Sequence, residues 1–127
     1  YQISMAQVYF QKGKHKHKAI FDYFFRKLPF EGGYAIFAGL ETVLEILEDF
    51  QFSTSDLDYL KDQGLDPEFI EYLKDFKFQG TLTSTSEGDI VFPTRPVLQV
   101  EGNMVEAQLV ETLLLNILNF QTLIATK

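Results

Sequence analysis

Ala19-Ile20-Phe21-Asp22-Tyr23-Phe24-Phe25-Arg26-Lys27 is the stretch that decides how this chain folds. Ala19, Phe21, Tyr23 and Phe25 project to one side, Ile20, Asp22, Phe24 and Arg26 to the other, which is the two-residue period of a strand. The first side is wholly apolar and has to be covered by another layer. Outward from this strand, the spacing of Met5, Val8 and Tyr9 predicts a short helix over Tyr1 to Phe10, stopped at Gly13 and followed by a basic loop from Gln11 to Lys18. On the other flank, Pro29 to Gly33 forms a loop. Phe37, Leu40, Leu44 and Leu47 then set an apolar stripe opposite Glu41, Glu45 and Glu48, predicting a helix over Tyr34 to Asp49.

Ser53-Thr54-Ser55-Asp56 offers N-cap oxygens for a helix stopped at Gly64, and Asp66 caps another that starts with Pro67. Leu57, Leu60, Phe69, Ile70, Leu73 and Phe76 are the core candidates of this acidic pair, which reads as a solvated insertion over one end of the core. From Phe78 the period returns to two. Phe78 to Thr85, Asp89 to Phe92 and Val97 to Glu101 are predicted strands, separated by Glu87-Gly88 and Pro93-Thr94-Arg95-Pro96. Met104 to Lys127 is helical again, with apolar residues over more than half of its circumference, so it is expected to be the most buried element.

At 127 residues with 46% hydrophobic content, the chain is the size of one domain able to bury a real core. Thirteen phenylalanines and no tryptophan assign much of that core to rings that need no hydrogen-bond partner. The net charge of −7, with acids concentrated between Glu41 and Asp75, argues against a nucleic-acid or anionic-membrane surface. Leu109 to Ile124 is the longest apolar stretch, but Glu111, Asn116, Asn119 and Gln121 interrupt it, and it reads as a buried helix rather than a membrane span. Without cysteine there is no disulfide framework and no thiolate metal site, which fits a reducing compartment. The chain opens on Tyr1 and stops inside a helical pattern at Lys127, so it is expected to be a segment of something longer.

Few residues here can do chemistry. His15 and His17 stand one residue apart, but Lys14, Lys16 and Lys18 repel a cation, so a solvated basic loop is the better reading than a metal site. Glu41, Glu45, Glu48 and Asp49 read as a solvated helix face. Gly32-Gly33 lacks the spacing of a phosphate loop, and no Ser/His/Asp or Cys/His set can be assembled. No residue is an evident general base, nucleophile or metal ligand.

Tyr1-Gln2 with Met5-Ala6, the strand Phe21-Asp22-Tyr23-Phe24-Phe25-Arg26, and the helix segment Asn119-Phe120-Gln121-Thr122-Leu123-Ile124-Ala125-Thr126-Lys127 together resemble the opening of nicotinate phosphoribosyltransferases, along essentially the whole chain. The resemblance implies an α+β, hammerhead-like N-terminal domain of the nicotinate/quinolinate phosphoribosyltransferase group, with a small mixed or antiparallel sheet packed on long helices. It makes residues 1–127 a single N-terminal domain, with the catalytic barrel outside this chain. Part of the domain in relatives comes from beyond the barrel, so a sheet edge is expected to be open.

The same resemblance implies a cytoplasmic enzyme that joins nicotinate to phosphoribosyl pyrophosphate, with ATP hydrolysis and Mg2+ in the full-length protein, giving nicotinate mononucleotide for NAD salvage. It also implies a head-to-tail homodimer in which the head of one subunit meets the barrel of the other, burying about 2,000 Å² or more if obligate. Tyr1 is then a substrate contact that stacks on the pyridine ring, where without the resemblance it reads as a frayed chain end or a helix staple. Arg26 faces the phosphates, a task suited to its planar, always charged fork. A local ion pair with Asp22 is the plainer alternative, although four residues along a strand is too far for direct contact. Thr126 and Lys127 either approach the phosphates or belong to a helix that joins domains. Two other functions stay open at this level: a nicotinamide or quinolinate phosphoribosyltransferase domain, and a non-enzymatic acidic protein-interaction domain.

Overall fold

The computed structural model describes residues 1–127. Helix α1 (Gln2–Gln11) is followed by strand β1 (Lys18–Tyr23), strand β2 (Ala35–Ile36), helix α2 (Leu40–Glu48), helix α3 (Thr54–Asp62) and helix α4 (Pro67–Lys74). Strands β3 (Thr81–Ser84), β4 (Ile90–Val91) and β5 (Leu98–Asn103) then lead into the long helix α5 (Met104–Thr126). Short 3-10 turns lie at Lys14–Lys16 and Pro29–Glu31. The architecture is the α+β arrangement read from the sequence.

Pairing is antiparallel throughout. One sheet has the order β1-β5-β3, with Lys18 opposite Asn103 at one end of β1 and Tyr23 opposite Leu98 at the other. Because β1 has a partner on one side only, half of its backbone groups face away from the ladder. The second sheet is the two-residue pair β2-β4, with Ala35 opposite Val91.

Helix α5 begins in a capping box. The Asn103 side chain accepts from the Glu106 N–H at 2.9 Å, and the Glu106 carboxylate accepts from the Asn103 N–H at 3.1 Å. The other oxygen of Glu106 takes the Gln79 N–H at 3.1 Å, so one buried carboxylate serves two segments. Gly102 is required for this approach, since a Cβ there would come within 2.5 Å of the Glu106 carboxylate. Helices α3 and α4 are capped as their sequences predict, α3 by a Ser53–Asp56 box and α4 by Asp66 accepting from the Glu68 N–H.

Two hydrophobic clusters share α5. Val110, Leu114 and Leu118 pack with Tyr23, Phe37, Val43 and Val100 under the sheets, while Val105 and Leu109 pack with Ala6, Leu60, Phe69 and Leu73 among α1, α3 and α4. Phe50, Phe52 and Phe76 meet nearly edge-on at centroid separations of 5.5 to 6.0 Å beside the second cluster. The α3–α4 pair is therefore the wall of a second core, which corrects its reading as a solvated insertion. Leu60, Phe69, Leu73 and Phe76 are buried as expected.

Three other expectations change. The helix predicted from Tyr34 starts at Leu40, because Ala35 and Ile36 pair with β4 and Gly39 breaks the chain between the two elements. Gly39 has φ 109°, which favours glycine, and a Cβ there would approach Leu118 and Ile117 to 3.2–3.3 Å. The buried side of α2 is accordingly Val43 and Leu47, and Leu44 is exposed. Strand β1 ends at Tyr23 rather than Lys27, although burial still alternates through Phe25 and Arg26. Finally, α5 is long and apolar enough to cross a membrane by length and composition, and its first half is enclosed, but Leu115, Phe120, Leu123 and Ile124 in its second half are exposed.

Phe69 has no exposed surface and sits at the centre of the second cluster. Phe69→Ala is expected to cost about 3–5 kcal/mol in denaturant unfolding. Tyr59→Ala, at an exposed position, should stay within about 0.5 kcal/mol.

Candidate functional site

The main concavity is an open groove of about 1010 Å³ between residues 21–29 and one side of α5. Its walls carry Arg26 and Lys27 from the segment after β1, and Glu111, Asn119 and Thr122 from the helix. Arg26 is exposed and in no ion pair. The Asp22 carboxylate accepts instead from the Gln99 amide at 3.0 Å, across the register of β1 and β5, so the Asp22–Arg26 ion pair does not form. Glu111 accepts from the Gln108 amide at 2.6 Å. A guanidinium left unpaired beside a groove keeps its planar donors available for a bidentate anion.

The backbone around Arg26 is held on the sheet side by two hydrogen bonds. Tyr23 O accepts from the Val97 N–H at 2.9 Å, and Phe25 O accepts from the Thr94 N–H at 2.7 Å. Phe25 is buried with its ring edge-on to that of Tyr23 at 5.3 Å. On the helix side, the Tyr23 hydroxyl donates to Asn119 Oδ1. Burial pushes the Tyr23 phenol well above its ordinary ionisation range.

Tyr1 lies elsewhere. It occupies the N-cap of α1, its carbonyl accepts from the Met5 N–H at 3.0 Å, and it is 80% exposed and absent from the groove. The helix beneath it is firmly placed: Ala6 is fully buried, the Gln7 side chain accepts from the Asp66 N–H at 2.7 Å, and Gln11 donates to the Asp66 carboxylate at 3.1 Å. Within one chain, Tyr1 and Arg26 do not converge on a common site.

The remaining candidates have local roles. His15 is half-buried, packed on Phe10 at 4.7 Å and against Tyr72 at 5.4 Å, so the basic loop is only partly solvated. His17 is exposed and extended, and no three His, Cys, Asp or Glu side chains come together as a metal site anywhere in the chain. Thr126 accepts from the Ile36 N–H at 3.0 Å, and Thr122 accepts from the Ala38 N–H at 3.1 Å while donating to Ala38 O at 3.1 Å. One turn apart on α5, these hydroxyls stand where a neighbouring strand would satisfy β2. Lys127 is exposed at the end of the helix. Sequence reasoning missed Glu106 and Asn119. The Asn103-x-x-Glu106 spacing is a visible capping-box signal, and a lone phenol among phenylalanines announces that Tyr23 needs a partner without naming it.

The sequence matches the nicotinate phosphoribosyltransferase (NAPRTase) N-terminal domain family over residues 1–119, and the chain belongs to that family. It is 58% identical over 128 aligned positions to nicotinate phosphoribosyltransferase of Bacillus subtilis (strain 168), covering 100% of this chain and 26% of that protein. Its structure matches the crystal structure of human nicotinic acid phosphoribosyltransferase with a TM-score of 0.91 at 35% identity, over 99% of this chain and 26% of that one. A TM-score of 0.60 at 21% identity relates it in fold alone to nicotinate-nucleotide pyrophosphorylase from Pyrococcus furiosus. The chain thus spans about a quarter of the length of the relatives it matches.

Tyr23 and Tyr72 both have phenols raised by burial; at Tyr72 the Asn103 side chain opposes the rise and the Glu106 charge adds to it. A phenol whose folded-state pKa is raised stabilises the fold fully below the ordinary value of about 10, and loses that contribution as pH climbs from there through the folded pKa. Stability should therefore decline above about pH 10, with a late phenolate absorbance step that shrinks in Tyr23→Phe, Tyr72 supplying the remainder. A Tyr23→Phe chain with an unchanged alkaline step would contradict the assignment.

Proposed function

We propose that this chain is the N-terminal substrate-site and dimerisation domain of a nicotinate phosphoribosyltransferase, which joins nicotinate to phosphoribosyl pyrophosphate with ATP hydrolysis and releases nicotinate mononucleotide and pyrophosphate. What carries the reading is similarity to enzymes of that name along the full chain, combined with an arginine that is unpaired and held beside a groove. Transfer from a phosphoribosyl donor builds cationic character on the ribosyl carbon as pyrophosphate leaves, so catalysis rests on positioning and on stabilising the departing charge.

In this proposal Arg26 donates to phosphate oxygens and Tyr1 stacks on the pyridine ring, both in the site of the opposite subunit. The exposure of both residues supports contacts made outward, beyond their own chain. The dimer is head-to-tail, with the barrel of one subunit receiving the head of its partner. The enzyme is cytoplasmic and binds neither nucleic acid nor membrane, in keeping with a net charge of −7. ATP and Mg2+ belong to the rest of the enzyme: the residues present do not fit a Mg2+ site, because no cluster of ligating side chains forms. Nor does any residue here supply a nucleophile or general base, so the isolated chain is expected to make no nucleotide.

The full-length enzyme should use nicotinate and not nicotinamide. Arg26→Ala should raise the KM for phosphoribosyl pyrophosphate by about 10- to 100-fold, the value of a charged hydrogen-bonding group, and Tyr1→Ala should raise the KM for nicotinate. Steady-state kinetics with each pyridine decide the matter. Wild-type constants in both variants would remove the site assignments, and a lack of reaction with both pyridines would remove the function.

A further inference from the structure

Tyr23 and Asn119 line opposite walls of the groove and are joined by the hydrogen bond from the Tyr23 hydroxyl to Asn119 Oδ1. It is the one hydrogen bond between residues 18–29 and α5. The other polar ties of this segment to neighbouring elements run to the sheet side, through the β5 ladder, Glu101, Val97, Thr94 and Gln99. Without the phenol, the segment that carries Arg26 is hydrogen-bonded along one side only, next to an open groove and beyond the end of the β1 ladder.

The choice of residue is informative. Phe21, Phe24 and Phe25 flank Tyr23, so the environment accepts a bare ring, and Phe25 packs against Tyr23 ring to ring. A phenylalanine at position 23 would keep that apolar packing and avoid burying a hydroxyl, which is costly unless the hydroxyl is bonded. The hydroxyl is present and has a partner on a different element, 96 residues away in sequence. What it adds is a fixed spacing between the Arg26 segment and the helix.

We propose that the Tyr23–Asn119 hydrogen bond is a strut that holds the Arg26 segment at a set distance from α5, so that Tyr23 and Asn119 are positioning residues for the anion contact made by Arg26. The inference rests on the reading of Arg26 as a phosphate contact. An arginine fork meets a phosphate bidentately only over a narrow range of positions, and a displacement of about 1 Å at a reacting site can cost on the order of 100-fold. Both positions touch the substrate only through Arg26.

The test is a double-mutant cycle in the full-length enzyme. Tyr23→Phe and Asn119→Ala remove the same bond and should each raise the KM for phosphoribosyl pyrophosphate about five- to tenfold, as expected for one hydrogen bond, with kcat and the KM for nicotinate little changed. In an Arg26→Ala background, Tyr23→Phe should add less than about twofold, because its effect passes through the arginine. Hydrogen exchange at the amides of Phe24 to Leu28 should quicken in Tyr23→Phe. A wild-type KM in both single variants, or the same fold loss with and without Arg26, overturns the proposal. If Arg26→Ala itself leaves that KM untouched, the functional reading of Arg26 fails instead, and hydrogen exchange decides the strut: faster exchange sustains it as a tether, and wild-type exchange overturns it.

Discussion

The placement of nearly every element depends on consecutive turns of α5 being buried in two different hydrophobic clusters. Val105 and Leu109 face the cluster of α1, α3 and α4, while Val110, Leu114 and Leu118 face the cluster beneath the sheets. One rigid helix therefore sets the distance between an aromatic-rich helical unit at one end and a strand-rich unit at the other. The Glu106 carboxylate reinforces its starting point by accepting from both Asn103 and Gln79. Farther along, Thr122 and Thr126 bind the strand that precedes α2. The same helix provides one wall of the groove, so core and candidate site share a scaffold.

This arrangement exposes two of the candidate side chains on opposite units. Tyr1 rides on a helix fastened through Gln7 and Gln11 to Asp66, and Arg26 follows a strand paired with β5. Neither residue has a catalytic partner inside the chain. In the proposed function, a domain of this kind contributes geometry and charge to chemistry carried out elsewhere in the enzyme; the chain itself spans about a quarter of the length of its relatives.

Much of the fold was legible because its signals are local. The caps at Ser53 and Asp66 lie within three residues of the N–H groups they bind, and the alternation around Phe21 to Phe25 marks a face that is buried. Strand β2 was hidden by an apolar spacing that runs on without a break, since Phe37 is in phase with Leu40, Leu44 and Leu47. Its real partners, β4 and the threonines of α5, are more than fifty residues away. The end of β1 was hidden in the same way, because alternating burial outlasts the ladder. The candidate site was legible through family resemblance and hardly at all through pattern: an N-terminal tyrosine and an exposed arginine have no periodicity, and the Tyr23–Asn119 contact joins residues 96 apart.

The central claim is that this domain completes a site in the opposite subunit, and subunit complementation tests it most directly. Full-length Arg26→Ala enzyme would be mixed, after dissociation and reassociation, with a subunit inactivated in its barrel, and nucleotide formation from nicotinate followed at a phosphoribosyl pyrophosphate concentration far below the KM of the Arg26→Ala variant. Random pairing makes about half of the dimers mixed, each with one intact site of two, so the account predicts recovery of about a quarter of wild-type activity. Mixed dimers that form in that proportion and stay inactive would contradict it.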